Sequence, residues 1–105
     1  MTTNRLEILK TLLEQNPTDA FARYGLAMEY VKAGEFEQAV AEFRAVLAAN
    51  ADYSYAYFHG GQTLEKLGRV DEARAMYEQG IEAASRTGDR KGSSELQGAL
   101  DLLPL

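Results

Sequence analysis

Apolar residues recur at helical spacing along the chain, and the breaks between these runs predict about six helices. In the first segment, residues 4–15, the apolar stripe consists of Leu6, Leu9 and Leu13, with Ile8 and Leu12 beside it. Residues three and four apart share one face of a helix, so this stripe is the expected packing side. Pro17 ends the segment, because the residue before a proline avoids helical geometry. The remaining helices are predicted at residues 20–33, 36–49, 53–67, 70–86 and 90–103.

Short polar residues stand directly before three of the predicted helices. Asp19 or Thr18 is expected to cap the second helix. Asp52 is expected to do the same for the fourth helix and Asp89 for the last, since a side-chain oxygen there accepts hydrogen bonds from free amide groups. The last helix has polar residues on one side and an apolar stripe on the other, as expected of an element that covers the end of a core. That stripe consists of Leu96, Leu100 and Leu103.

The segment 21–50 returns 34 residues later as the segment 55–84, so the middle of the chain contains two copies of one helical hairpin. Gly34 and Gly68 stand just past the first helix of each copy, where a left-handed backbone ends a helix at little cost. A repeat of this length is typical of helical arrays. Further matched pairs are Ala22 with Ala56, Lys32 with Lys66, Ala39 with Ala73, and Phe43 with Tyr77.

Small residues at matched positions predict where helices approach each other closely. Ala39 and Ala73 are expected at the crossings within the two hairpins, where short side chains allow contact. Gly60 and Gly61 lie inside the fourth helix, where each glycine costs about 1 kcal/mol relative to alanine. Gly61, like Ala27, is interpreted as a contact point between adjacent helices, whereas packing offers no comparable reason for Gly60.

The repeated segments resemble the tetratricopeptide repeat (TPR), whose signature is Trp-x2-Leu-Gly-x2-Tyr, then Ala-x3-Phe, then Pro. The first copy reads Arg23-x2-Leu26-Ala27-x2-Tyr30 and then Ala39-x3-Phe43. The second reads Tyr57-x2-Gly60-Gly61-x2-Leu64 and then Ala73-x3-Tyr77. The chain departs from the family pattern at Arg23, Ala51, Gly60 and Gly80. The resemblance implies an all-α, antiparallel helix-hairpin solenoid with a right-handed superhelix.

With this resemblance, residues 1–105 are expected to form a single TPR-like domain. Its first part, residues 4–16, matches the second helix of a repeat and is expected to be a half-repeat. Repeat 1 is expected at 20–50, repeat 2 at 54–86, and a C-terminal capping helix at 89–103.

Composition bounds the compartment and the partners. Of the 105 residues, 46% are hydrophobic and 26% are charged, which is ordinary for a globular domain. The absence of cysteine excludes disulfides and thiolate metal sites. No apolar run is long enough to span a bilayer, so no membrane partner is expected and the cytoplasm is the expected compartment. The net charge of −5 argues against a nucleic-acid partner, because phosphate contacts need a basic face.

Residues that carry chemistry are sparse. His59 is the single histidine, and an isolated histidine is more often a packed or surface residue than a catalytic base. No set of His, Asp and Glu has the spacing of a metal site, and the Gly60–Gly61 pair lacks the pattern of a phosphate-binding loop. We therefore expect no enzyme activity, no catalytic residue, no metal and no cofactor.

In the TPR family, the first helices of successive repeats line a concave groove that accepts a peptide or helix of a partner. The resemblance places the following residues in such a partner-binding groove: Phe21, Tyr24, Met28, Lys32, Tyr55, Phe58, His59, Gln62 and Lys66. Two interpretations of the aromatic residues stay open. They form an exposed groove, or they pack internally, under the N-terminal helix and under the first repeat.

Some family members hold a chaperone's terminal carboxylate with lysine, asparagine and arginine side chains in this groove. The corresponding positions here are Tyr24, Gly25, Met28 and His59, so no such clamp is expected. The sequence predicts a non-catalytic scaffold that binds an apolar helix or extended segment of a protein partner. The alternative hypothesis is homo-oligomerisation, as a homodimer for example, through the N-terminal helix or the aromatic band.

Overall fold

The computed structural model describes residues 4–105, and this part of the chain contains six α-helices and no β-strand. The helices are α1 (Arg5–Gln15), α2 (Ala20–Lys32), α3 (Phe36–Ala49), α4 (Ser54–Lys66), α5 (Val70–Thr87) and α6 (Arg90–Asp101). Turns of a few residues join them, so neighbours along the chain pack antiparallel. The predicted all-α helical-repeat solenoid is confirmed.

Two hairpins form the centre of the molecule, α2 with α3 and α4 with α5. Helix α3 packs against α4 and thereby joins the hairpins, while α1 covers α2 and α6 covers α5 and part of α4. The result is an elongated stack of 46 × 29 × 19 Å. Each element therefore depends on its immediate neighbours, as in other helical arrays.

Both predicted left-handed glycines end their helices as expected. Gly34 has φ of 77° and Gly68 has φ of 75°. After α2, the amide of Glu35 donates to the carbonyl of Tyr30 at 2.9 Å, and the amide of Gly34 donates to Val31 at 3.0 Å. The same pair of bonds follows Gly68. These bonds satisfy carbonyls at the helix end, and a positive φ at glycine makes them possible.

The start of α4 differs from the prediction. Asp19 accepts from the amide of Ala22 at 3.0 Å and Asp89 accepts from Gly92 at 2.8 Å, so both predicted caps are confirmed. Asp52, in contrast, does not cap α4. The helix begins only at Ser54, which places Asp52 one residue too early, and its carboxylate pairs with Arg86 at 3.2 Å instead.

The core consists of three consecutive clusters along the stack. Ala39, Ala73, Phe43 and Tyr77 are all fully buried in it, as the repeat predicted. The first cluster, between α1 and α2, contains Leu9, Leu13, Ala22 and Leu26. The second contains Ala27, Ala39, Phe43, Val46 and Ala56. The third contains Val40, Tyr57, Leu64, Ala73, Met76, Tyr77, Ala83, Leu96 and Leu103.

Two of the positions that depart from the repeat signature form local hydrogen bonds. Arg23 donates to Glu42 of α3 at 2.7 Å and to the Pro17 carbonyl at 3.1 Å, so it joins α2 to α3 and to the turn before α2. The carbonyl of Ala51 accepts from the Tyr57 hydroxyl at 2.7 Å. Among the described helices, none is long and apolar enough to cross a membrane.

Candidate interaction surface

Aromatic rings from α2, from α4 and from the turn before α4 meet on one face. Tyr24 is at the centre: its ring centroid lies 5.2 Å from that of Tyr53, 6.4 Å from Tyr55 and 6.1 Å from His59. Phe58 stands beside His59, with centroids 5.3 Å apart in an edge-to-face arrangement. We call these residues the aromatic cluster. Such spacings are those of favourable aromatic pairs.

The core holds the cluster in place from below. Tyr24 also contacts Phe43, and Phe58 contacts Tyr77, with centroids 6.0 and 6.5 Å apart. Both inner partners are fully buried. The positions of the surface rings are therefore set by packing that exists without any ligand.

Exposure divides the predicted groove residues into two groups. Tyr55 is 57% exposed and Phe21 is 73% exposed. Tyr24, Phe58 and His59 are half-buried. Phe21 and Tyr55 are thus exposed, whereas Tyr24 and Phe58 pack on core rings. Neither interpretation therefore holds for the whole aromatic stripe. Phe21 lies at the start of α2, outside the ring contacts of the aromatic cluster.

The remaining predicted groove residues have mixed surroundings. Met28 is half-buried against the second core cluster. Lys32 is exposed, and its Nζ lies 3.5 Å from Oε2 of Glu29. Lys66 lies over the ring of Phe36, 5.4 Å from its centroid, which is a cation–π arrangement. The cations at the ends of α2 and α4 are therefore engaged by their own neighbours.

Burial favours the uncharged forms of Tyr24 and His59 in the aromatic cluster. Burial raises the pKa of Tyr24 to about 12, with smaller contributions from Tyr53 and Tyr55. Burial lowers the pKa of His59, while a hydrogen bond with Gln62 and the charge of Glu95 act in the opposite direction. The cluster accordingly presents neutral, amphipathic rings. In residues 4–105, no three His, Asp or Glu side chains are grouped to hold a metal ion.

Helix α6 extends this face, a contribution that the sequence analysis missed. A depression of about 370 Å³ lies between α4 and α6. We call it the α4/α6 cleft. It is lined by Phe58, Gln62, Glu65, Glu95, Ala99 and Leu102. Leu102 is 87% exposed. The signal was present in the sequence, because Glu95, Ala99 and Leu102 follow helical spacing beside the buried stripe of α6.

Tyr53 also escaped prediction. It precedes α4 and occupies the N-cap position without forming a side-chain cap, so its ring is free to lie against Tyr24. The sequence predicted Tyr53 as the first residue of the fourth helix and placed no groove residue there. In the structure Tyr53 precedes that helix.

Comparison with known proteins gives a consistent result. The family model described as tetratricopeptide repeat matches residues 24–87. A TPR repeat-containing protein of Pseudomonas aeruginosa is 28% identical over 91 residues, which cover 87% of each chain. The solution structure of a tetratricopeptide repeat domain protein from Salinibacter ruber is 41% identical, with a TM-score of 0.76 over 81% of this chain and 86% of that one.

A further structural match is PcrH in complex with the chaperone binding region of PopD. It has a TM-score of 0.85 and covers 91% of this chain and 73% of PcrH. At 18% identity, this match shows a shared fold.

Proposed function

The chain belongs to the tetratricopeptide repeat family, and we propose that it is a non-catalytic scaffold that binds a peptide or helix of a partner protein in its concave groove. The family and its fold are generally protein-interaction modules. PcrH, which has the same fold, was solved in complex with the chaperone binding region of PopD, and this supports a protein as the partner class.

The observation that carries the proposal is the aromatic cluster. Its rings are held by the core, yet Tyr55 keeps more than half of its surface in contact with water. Rigid aromatic side chains with open faces contribute strongly to binding, because little conformational entropy is lost when a ligand covers them. We place the partner across α2 and α4, where it covers Tyr24, Tyr55 and Phe58.

The chemistry of this face favours an apolar helix or extended segment over a terminal carboxylate. Lys32 and Lys66 are the cations among the predicted groove residues, and both have neighbours of their own. Met28 adds a soft contact that adapts to different apolar side chains.

Substitution of the rings tests the groove. We expect Tyr24→Ala and Phe58→Ala to abolish capture of the native partner in a pull-down from host extract, followed by calorimetry with the identified protein. Tyr55→Ala is added because its exposed ring can be removed with little effect on packing. Leu105→Ala, which removes an exposed apolar side chain outside both candidate surfaces, is the matched control. If the folded ring variants still capture the partner, the groove assignment is wrong.

A second candidate function, self-assembly, is favoured by one observation on α1. Ile8 and Leu12 lie one turn apart and are 47% and 45% exposed. Such a pair is a suitable contact for a second copy of the chain. Size-exclusion chromatography with light scattering tests it: a dimer that Leu12→Lys converts to a monomer supports self-assembly, and a monomer at all concentrations contradicts it.

A further inference from the structure

The α4/α6 cleft combines apolar walls with two carboxylates. Phe58, Ala99 and Leu102 supply the apolar surface, and Glu65 and Glu95 supply the charge. No cation is among its lining residues. The nearest basic side chain along α6, Lys91, lines a separate and smaller depression of about 80 Å³ on the other side of Phe58 and Glu95.

Glu65 is held in position by the core. The hydroxyl of Tyr77, whose ring is fully buried, donates a hydrogen bond to Glu65 Oε2. Burial, then this hydrogen bond and the negative charge of Glu65, raise the pKa of Tyr77, so the phenol remains a donor at neutral pH. One oxygen of an otherwise exposed carboxylate is thus anchored at the wall of the cleft.

A partner segment that covers this cleft removes water from both carboxylates. Burial of a charge without a counter-charge costs far more than the apolar contacts around it return. A purely apolar ligand therefore fits α2 and the near side of α4 but is penalised at the cleft. A cation on the ligand offsets this desolvation penalty. The net charge of −5 on the protein also favours the approach of a cationic ligand.

We propose that the α4/α6 cleft receives an arginine or lysine side chain of the bound partner segment, with its aliphatic stem over Phe58 and Leu102 and its cationic head between Glu65 and Glu95. Long basic side chains commonly lie with their stems on apolar surface and their heads at acidic groups. This inference rests on the proposed function and specifies the partner: an apolar segment with one basic residue at the end that crosses α6.

Selection from a phage-displayed library of random peptides, long enough to cross α2, α4 and α6, tests the inference with a defined probe. We expect peptides that bind the wild-type chain and not Tyr55→Ala to carry arginine or lysine beside apolar residues. A synthetic peptide from this set is then compared with its citrulline counterpart, which keeps the shape of arginine without the charge. Wild-type protein should bind the citrulline peptide about 5-fold more weakly, and the difference should shrink at high salt.

The double variant Glu65→Gln/Glu95→Gln completes the cycle. It should bind the arginine and citrulline peptides equally. Glu78→Gln/Glu82→Gln, which also removes two negative charges but at exposed positions on α5, should still distinguish them. The citrulline comparison on wild-type protein stands even if the double variant folds poorly.

The outcomes separate the two proposals. Peptides that depend on Tyr55 but show no preference for a basic residue overturn the inference and leave the scaffold function in place. A library that yields no peptide dependent on Tyr24 or Tyr55 overturns the scaffold function itself. A homodimer that dissociates in the double variant identifies a second copy as the occupant of the cleft and overturns the proposal of a separate partner.

Discussion

Single residues without a side chain decide how closely the helices of this stack approach. Gly61 was expected at a close contact, and a Cβ atom there would overlap the ring of Tyr77. At Gly80, a departure from the family pattern, a Cβ would lie 2.6 Å from Tyr57 Cβ and 2.9 Å from Leu96 Cδ1. Gly60 is different, because its Cβ would meet Met76 and Phe43 at an ordinary 3.4 Å. The missing packing reason for Gly60 thus reflects a position that tolerates a methyl group.

Gly61→Ala and Gly98→Ala therefore have opposite predicted effects, although both glycines lie inside helices. We expect Gly61→Ala to lower the free energy of unfolding by about 1–3 kcal/mol, because Tyr77 must move. No atom lies within 4 Å of a Cβ at Gly98, so Gly98→Ala should raise the free energy of unfolding by up to about 1 kcal/mol. Urea denaturation of the two variants measures both. Equal stability of wild type and Gly61→Ala would show that α4 and α5 are not in close contact there.

His59 makes the stability of the folded state depend on pH. Burial among Tyr24, Tyr55 and Phe58 lowers its pKa below the ordinary 6.5, while Gln62 and Glu95 act in the opposite direction. The unfolded chain therefore takes up the proton first as the pH falls. The contribution of neutral His59 to the free energy of unfolding is therefore present above about pH 6.5. It is lost as the pH falls through that value towards the lower folded-state pKa.

We expect wild type to lose more unfolding free energy than His59→Gln between pH 8 and about 5.5, above the range in which most carboxylates titrate. An NMR titration of His59 provides the direct check. In Glu95→Gln the pKa of His59 should fall further, because an opposing negative charge is gone. A folded-state pKa at or above the unfolded value would contradict the burial of the ring.

At the scale of elements, the starts of the helices show which N-terminal caps local sequence determines and which depend on distant residues. Asp19 and Asp89 were predicted as caps from their type and position, and both accept the expected amide hydrogen bonds. Asp52 is also a short polar residue just before a predicted helix. It lies in a turn, however, where its backbone amide donates a hydrogen bond to the Asn50 side chain at 3.1 Å. The turn delays α4 to Ser54, and Arg86 of α5 takes the carboxylate.

Asp89 is predicted to fasten α6 to the rest of the stack. One of its oxygens caps α6 and the other accepts from the Ser54 hydroxyl at the start of α4, at 2.8 Å. We expect Asp89→Ala to increase amide hydrogen exchange throughout α6 more than in α1–α3. Ser54→Ala should have a smaller effect, because the cap remains. Asp52→Ala, which caps no helix, is the matched control and should leave α6 protected.

The same bonds lower the pKa of Asp89, with the Gly92 amide as the main cause and Ser54 next. Its stabilising contribution is therefore present above the ordinary carboxyl pKa and is lost as the pH falls through the lower folded-state pKa. Exchange in α6 should consequently rise at acidic pH in wild type, and less so in Asp89→Ala.

At the scale of the whole molecule, the stack predicts a gradient of stability. Helix α1 packs mainly against α2 and buries only Leu9 and Leu13, whereas α4 and α5 carry most of the largest core cluster. In native-state hydrogen exchange, we expect the amides of α1 to open at lower free energy than those of α3, α4 and α5. If the amides of α1 exchange only through global unfolding, the helix is more tightly coupled to the stack than its contacts indicate.

The candidate surface also belongs to this scale, because its parts are far apart in the sequence. Tyr24 meets Tyr53, Tyr55 and His59 only after the two hairpins stack through α3 and α4. The helical pattern selected most of these residues, since a second apolar stripe on a helix is unusual. It did not reveal Tyr53 in the turn or the share of α6, because a residue's neighbours across helices depend on how the hairpins stack.

Periodicity and the 34-residue spacing by themselves determined the class, the number and approximate positions of the helices, and the left-handed turns at Gly34 and Gly68. These features depend on residues within a few positions of one another or on a repeated pattern. Only the tertiary structure decided which aromatic faces stay open, where Asp52 finds its partner and that Glu65 and Glu95 face one cleft. The physical reason is that exposure and charge pairing depend on distances between helices, which local sequence preferences do not specify.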